Sequence, residues 1–328
     1  MSELKIVTIG GGTGSFNILQ GLKKLSSDIT AIISMVDDGG STGVLRDELG
    51  VLPPGDVRQA LVALSESTQL TRELFNYRFE EGTFEGHSFG NLFLSALEKV
   101  SGNFGDAVTA TSDILKIRGQ VVPVTLDDAR LVLHYPDGEE VVGEHIIDEV
   151  TFRKDARPEV QLRPNCQLNP KAKQAIARAD VIIFAPGTLH GSLLPNLAVD
   201  GMREALGSTN AKIAYVCNLV TNEGQTDDWQ VNDFVEEIER YSGQDSVDYV
   251  LYNTAEPSKE LLAAYAKDGE LGVKYNQEKI DSMHFTPIAD NFVAEPDGPD
   301  SKGRQFIRHD AEKVTAWVEK IAQGQVNG

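Results

Sequence analysis

Two groups of residues in this chain are built for chemistry: the run Gly10-Gly11-Gly12-Thr13-Gly14-Ser15 and the adjacent acids Asp37 and Asp38. A glycine loop can cradle a phosphate, because the missing Cβ permits positive φ and close approach to bare backbone N–H groups. A helix that starts in the loop adds the positive end of its dipole. Two neighbouring carboxylates repel unless donors or a cation hold them, and a Mg²⁺ shared between Asp37, Asp38 and a pyrophosphate would relieve that repulsion. Further along, Pro53-Pro54-Gly55-Asp56-Val57-Arg58 presents an acid and a guanidinium on a rigid turn. Arg58 can fork onto a phosphate or carboxylate, or serve a structural ion pair with Asp56. His87, in Gly86-His87-Ser88-Phe89-Gly90-Asn91, is of the type most used as general acid or base; a hydrogen-bonded structural histidine is the competing role.

The elements that must position these residues alternate. Lys5–Ile9 is an apolar, β-branched run that reads as a strand, and Phe16, Leu19, Leu22 and Leu25 follow at helical spacing. The loop between them is not a Walker A motif, since no Gly-Lys-Ser/Thr follows at the required distance. It is an imperfect dinucleotide fingerprint, with Ser15 where a third Gly or Ala belongs. A second strand, Thr30–Val36, ends in the acids, where a dinucleotide-binding protein holds ribose hydroxyls. The Gly39-Gly40-Ser41-Thr42-Gly43 that follows reads as another polar glycine loop and weakens a dehydrogenase assignment.

Helices are expected at 58–65, 70–77, 91–100 and 104–115. Asn91 is expected at or near an N-cap, facing the same crevice. Residues 121–170 read as a β-rich insert with a hairpin turn at Pro136-Asp137-Gly138. Helix 170–178 and strands near 180–185, 212–217 and 249–252 resume the core, with helices at 231–241, 258–267 and 311–323. The sum predicts an α/β fold: a Rossmann-like, mainly parallel sheet with helices on both faces. The core is expected over 1–120 and 171–328, and its ligand at the carboxyl ends of the strands. That rule adds Gly187, Thr188 and Asn196 after one strand, and Asn218 and Thr221 after the next. Capping and turn duties are the alternative for these polar residues.

Composition narrows the function classes. The formal net charge of −20 argues against general nucleic-acid binding, so an anion site here must gather positive potential locally. Two cysteines, Cys166 and Cys217, make no disulfide framework or metal cluster, and Cys217 reads as a small buried apolar residue. No apolar run approaches membrane-spanning length and no signal peptide is evident, which predicts a cytoplasmic protein.

The succession GGGTGS, DDGGSTGVLR, PPGDVRQALVAL, GHSFGNLFLSAL, APGTLHGSLLPNL and YVCNLVTNEGQT resembles the CofD/YvcK family, and more closely its YvcK branch. The CofD branch is a transferase that joins a phospholactyl or phosphoenolpyruvyl group to a deazaflavin precursor, using a nucleotide-activated donor and Mg²⁺. The YvcK branch is associated with cell shape and growth on gluconeogenic carbon, and with UDP-sugars such as UDP-N-acetylglucosamine. The resemblance implies that Gly11–Ser15, Gly39, Gly40, Ser41, Asp56 and Arg58 surround the ligand. It places His87, Ser88 and Asn91 next to it, and Asp37 and Asp38 at a metal. Self-association as a homodimer is also implied. Two functions follow as expectations: a UDP-sugar-binding regulator, or a Mg²⁺-dependent transferase of phosphorus-containing groups.

Overall fold

The structure, a computed structural model, describes residues 3–153, 155–295 and 306–326. In chain order its strands are β1 (Ile6–Gly10), β2 (Ile29–Ile33), β3 (Gln120–Pro123), β4 (Arg130–His134), β5 (Glu140–Val142), β6 (Glu159–Arg163), β7 (Val181–Phe184), β8 (Lys212–Val216), β9 (Tyr249–Asn253) and β10 (Thr286–Asp290). Seven of them form one parallel sheet in the order β10-β9-β8-β7-β1-β2-β3. A parallel sheet covered on both faces demands strands that are apolar throughout. β1, β2 and β7 meet this demand, being buried at every position.

The strand order reverses between β1 and β7: the chain builds outward from β1 to β2 and β3, then returns to start β7 on the other side. Loops that leave such a reversal splay apart and open a crevice at the carboxyl edge. Four helices border it: α1 (Gly12–Leu25), α2 (Gly40–Leu49), α3 (Gly55–Leu64) and, after the short α4 (Gln69–Asn76), α5 (Phe89–Ser101). The helix α6 (Phe104–Leu115) then leads into β3.

The insert is real but smaller than expected. Residues 121–123 lie in β3 and pair with Ala31–Ile33 of β2, so they belong to the large sheet. The insert leaves after them and closes at Asn169, whose N–H donates to the Val124 carbonyl at 2.8 Å and whose side chain donates to the Pro123 carbonyl at 3.0 Å. Within it β5, β4 and β6 form an antiparallel sheet, and a helix not expected from sequence, α7 (Glu144–Glu149), connects β5 to β6.

The second strand also stops earlier than expected, at Ile33, and Gly40–Leu49 is helix where a polar loop was anticipated. The reason lies in Gly43, where a Cβ would stand 2.0 Å from the Asp38 carbonyl oxygen. That glycine permits close backbone packing inside a helix rather than loop flexibility. The helix α8 (Pro170–Arg178) precedes β7, and a π-helical turn, Leu189–Leu193, follows that strand; then come α9 (Leu194–Leu197), α10 (Met202–Gly207), α11 (Val231–Ser242), α12 (Lys259–Tyr265), α13 (Gln277–Asp281) and α14 (Ala311–Ala322). No helix among the described residues is long and apolar enough to cross a membrane.

α14 packs across α1 at Gly21. A Cβ there would meet the Ala311 carbonyl oxygen at 2.6 Å and Thr315 Oγ1 at 2.5 Å. Alanine raises helix propensity by about 1 kcal/mol over glycine, but overpacking against backbone costs about 1–3 kcal/mol. Gly21→Ala is therefore expected to destabilise the protein despite its helical position. The measurement is the midpoint of urea unfolding, and a midpoint at or above wild type would refute the packing argument.

Candidate functional site

The crevice is organised by glycines at which two segments touch. At Gly14 a Cβ would stand 2.1 Å from the Pro186 carbonyl oxygen, so the first turn of α1 lies against the loop after β7. At Gly11 it would meet Asp56 Oδ2 at 2.2 Å, and at Gly55 it would meet Asp37 Oδ2 at 2.3 Å. The glycine loop, the acidic loop and the Pro53–Arg58 turn, far apart in sequence, thus share one small volume.

Three helices begin here without a side-chain cap. α1, α2 and α3 start at Gly11, Gly39 and Pro54, none of which supplies a capping oxygen, although the Gly12 N–H of α1 donates to Asp56. The other described helices of eight or more residues carry caps, among them Thr68, Ser88, Asn103 and Asn169, which each accept from a first-turn N–H of α4, α5, α6 and α8; short helices such as α7 do not. Uncapped first-turn N–H groups seek an acceptor, and three helix dipoles put their positive ends in the same place.

Opposed to this is a concentration of carboxylates. Asp37 accepts from the Gly39 N–H at 3.0 Å, and burial raises its pKa. Asp56 is pushed up to about 7 by burial and then by the nearby Asp37. The insert contributes Glu144 and Asp148 from one face of α7. Burial is the main cause that raises both, and for Glu144 the charges of Asp148, Asp37 and Asp56 add to it. A Cβ on Gly191, in the π-helical turn, would meet Asp148 Oδ1 at 2.8 Å, Thr188 Oγ1 at 2.8 Å and Glu144 Oε1 at 3.2 Å, which places the pair directly over that turn. Sequence reading missed both acids. The available signal was an acid pair at i and i+4, which lies on one side of a helix.

Asp38 faces a different way from Asp37. Its Oδ1 accepts the His145 N–H at 2.8 Å and its Oδ2 pairs with Arg130 at 3.4 Å, both from the insert. Arg46 strengthens the attachment by pairing with Asp128 and donating to the Ala129 carbonyl at 2.9 Å.

Arg58 forms no ion pair with Asp56. Its Nε donates to Asn91 Oδ1 at 3.0 Å and its Nη1 to Asn76 Oδ1 at 2.6 Å, and burial pulls its pKa down to about 10. Asn91 is not a cap; Ser88 caps α5, and Asn91 sits one turn in. Because Arg58 can only donate, the Asn91 amide nitrogen turns to Ser41 Oγ at 3.3 Å, and Ser41 lies 3.0 Å from His87 Nδ1. Having accepted from Asn91, the Ser41 hydroxyl can either donate to Nδ1 or accept from it.

Two clefts flank the first turn of α1. One, of about 260 Å³, is lined by Thr13, Phe16, Asn17, Gln59, Arg58 and Arg308 among others. The second, of about 180 Å³, lies between Gly14, Gly187 and Thr188 on one side and Asn218 and Thr221 on the other. Asn218 spans it, accepting from the Tyr215 hydroxyl at 3.0 Å and donating to the Gly187 carbonyl at 2.7 Å. Thr221 is committed to the backbone of Leu271 at 3.1 Å.

The remaining expected residues divide. Gly12 takes a positive φ of 66° at the start of α1, and Gly40 stands in open space. Ser15 is buried with its hydroxyl unpartnered, 2.7 Å from where a Gly10 Cβ would be. Asn196 lies wholly inside, donating to the Ser192 carbonyl at 2.7 Å. Burial lifts the Cys217 thiol to about 12, as suits an apolar packing residue.

The acids at the crevice have a measurable signature. A carboxyl whose folded pKa is raised contributes stability below its unfolded value, and that contribution is lost as pH rises through the folded value. For Asp56 the loss falls between about pH 4 and 7. His190 and His309, buried and held neutral, act in the opposite sense, but they cancel in a difference between variants. The melting temperature of Asp56→Asn minus that of wild type is expected to grow from pH 5 to pH 8. A difference that stays flat over this range would show that Asp56 is not a strained carboxylate.

Comparison with known proteins matches these features to one family. The family model for 2-phospho-L-lactate transferase CofD matches residues 6–293. A provisionally named gluconeogenesis factor of Thermotoga maritima is 45% identical over 322 residues, covering 98% of this chain and all of that one. The gluconeogenesis factor of Bacillus subtilis is 38% identical, covering 95% of this chain and 96% of that one. A crystal structure of a UPF0052-family protein from Bacillus halodurans superimposes with a TM-score of 0.89 at 36% identity, covering 97% of this chain and 99% of the other. The chain belongs to the CofD family, and its curated relatives are gluconeogenesis factors.

Proposed function

We propose that the crevice binds a nucleotide-sugar of the UDP-N-acetylglucosamine type together with Mg²⁺. On this reading the protein is a cytoplasmic metabolite-responsive factor that links precursor supply to cell shape during gluconeogenic growth. The observation that carries the proposal is the meeting of three uncapped helix N-termini, α1, α2 and α3, at a glycine-lined reversal of strand order. Such a site takes phosphate oxygens. The naming of the relatives as gluconeogenesis factors supports the physiological half.

Mg²⁺ fits the donor set. Asp37, Asp56, Glu144 and Asp148 offer hard oxygens only, and their raised pKa values mark charge that a divalent cation would compensate. No three of them bring an oxygen within 4.8 Å of one another, so the ion would be held by one or two carboxylates, with phosphate oxygens and water completing its shell. Asp38, with both oxygens engaged, holds the insert over the crevice instead. The pyrophosphate would lie over Gly11–Ser15, with Arg58 reaching it from the side. The same four carboxylates also suit a second reading, Mg²⁺-assisted transfer of a phosphorus-containing group.

Isothermal titration with UDP-N-acetylglucosamine, with and without Mg²⁺ and with GTP and NAD as controls, tests both. Saturable UDP-sugar binding that strengthens with Mg²⁺ and returns intact ligand is expected. Gly187→Leu is the informative variant, since a Cβ at Gly187 has ordinary contacts of 3.4 Å or more and only the added side chain enters the cleft. It should weaken binding at least about tenfold, or 1.4 kcal/mol, without lowering the melting temperature. Mg²⁺-dependent guanine nucleotide binding in place of UDP-sugar binding, or consumption of the ligand, would move the assignment to the transferase.

A further inference from the structure

The smaller cleft beside α1 is chemically one-sided. None of the described residues that line it is Lys or Arg, and it contains the carboxyl group of Glu270 and the imidazole of His309. Glu270 makes no hydrogen bond or ion pair through its side chain with any described residue, and burial raises its pKa, with Asp268 and Glu223 adding to the effect.

Its backbone is held firmly. The Glu270 N–H donates to the Tyr265 carbonyl at 3.1 Å. The next residue, Leu271, donates to Thr221 Oγ1 at 3.1 Å and accepts from the Thr221 N–H at 2.7 Å, and Val273 donates to the Leu219 carbonyl at 3.0 Å. Thr221, expected from sequence to touch ligand, thus serves to position Glu270.

His309 supplies an independent observation. It is 7% exposed, and its Nε2 lies 2.9 Å from the Cys217 carbonyl oxygen. A carbonyl only accepts, so Nε2 carries the hydrogen and Nδ1 is a bare lone pair. Nδ1 has no partner among the described residues, and burial lowers the pKa to about 4, which keeps the ring neutral. His309 lines the cleft, so Nδ1 stands as an acceptor open to a donor there. The cleft therefore offers acceptors and negative charge: it disfavours phosphate and favours a group rich in hydrogen-bond donors.

We propose that this cleft is a glycosyl subsite, in which Glu270 and His309 Nδ1 accept hydrogen bonds from hydroxyls of a sugar whose phosphate lies at Gly11–Ser15. The inference rests on the nucleotide-sugar reading and names the residues that would distinguish the sugar from the bare nucleotide. A carboxylate can receive two neighbouring hydroxyls at once, and a site built to hydrogen-bond hydroxyls discriminates strongly against a ligand that lacks them.

The test titrates the full-length chain with UDP and with UDP-N-acetylglucosamine, in wild type, Glu270→Ala and Glu270→Gln. Wild type should hold the sugar nucleotide at least about tenfold tighter than UDP. Glu270→Ala should abolish that preference while leaving the Kd for UDP within about twofold, and Glu270→Gln, which keeps one accepting oxygen, should fall between. An unchanged preference in Glu270→Ala, or equal loss for both ligands, overturns the glycosyl subsite and leaves nucleotide binding standing. Equal affinity of wild type for the two ligands does the same. Failure of wild type to bind either one overturns the nucleotide-sugar reading and the subsite with it.

Discussion

The constraint on which the site depends is a contact between two backbones. Gly14 lies in the first turn of a helix that leaves β1, and Pro186 lies in the loop that leaves β7, on the other side of the reversal in strand order. With 2.1 Å between the Pro186 oxygen and the place of a Gly14 Cβ, any larger residue must push the two loops apart. The position of α1 fixes much else. It sets where uncapped N–H groups point, how α14 crosses at Gly21, and how wide the clefts on either flank can be. Gly11 and Gly55 repeat the device against the side chains of Asp56 and Asp37, so the crevice is assembled by close approach rather than by long side chains reaching inward.

That assembly carries an electrostatic tension. Helix N-termini attract anions, yet four carboxylates crowd the same space, and burial raises the pKa of each. Two of the four come from α7, which Asp38, Arg130, Arg46 and Asp128 latch to the core. The insert is thus part of the site's charge balance rather than a cover placed over a finished pocket. The helix N-termini favour an anion and the carboxylates favour a cation, so the two halves of the site ask for opposite charges.

Local signals made much of the fold legible. Helices 104–115 and 170–178 were expected within their observed bounds, and each begins at an Asn whose side chain caps it. The buried strands β1, β7 and β8 announced themselves as apolar runs. What escaped was decided by tertiary contact or by brevity. Gly43 reads as a loop residue, and only the Asp38 carbonyl beside it explains why a helix needs it. The strand β10 buries just Ile288 of its five residues and contains a proline, so no alternation appears. α7 has six residues with a single buried one, too short for a helical period, and the two acids it brings to the crevice were lost with it. Strand-end reasoning placed Gly187, Thr188, Asn218 and Thr221 together, and the structure lines one cleft with all four; it could not tell that Asn196 is buried against the Ser192 carbonyl, nor that Glu270 joins the cleft.

The two clefts beside α1 differ in a way that constrains any ligand spanning both. The larger holds Arg58 and Arg308 among amide side chains, so it favours negative charge. The smaller contains no Lys or Arg among the described residues and offers acceptors, so it favours hydroxyls or other donors. Between them run Thr13 and Gly14, on the uncapped turn of α1. A small anion would use only one end of this arrangement, and an uncharged sugar only the other. A molecule with phosphate at its centre and donors at one end uses the whole length, and each end rejects the chemistry that the other prefers. A ligand that spanned both clefts would be oriented by charge alone, with its anionic part at the larger cleft and its donor-bearing part at the smaller.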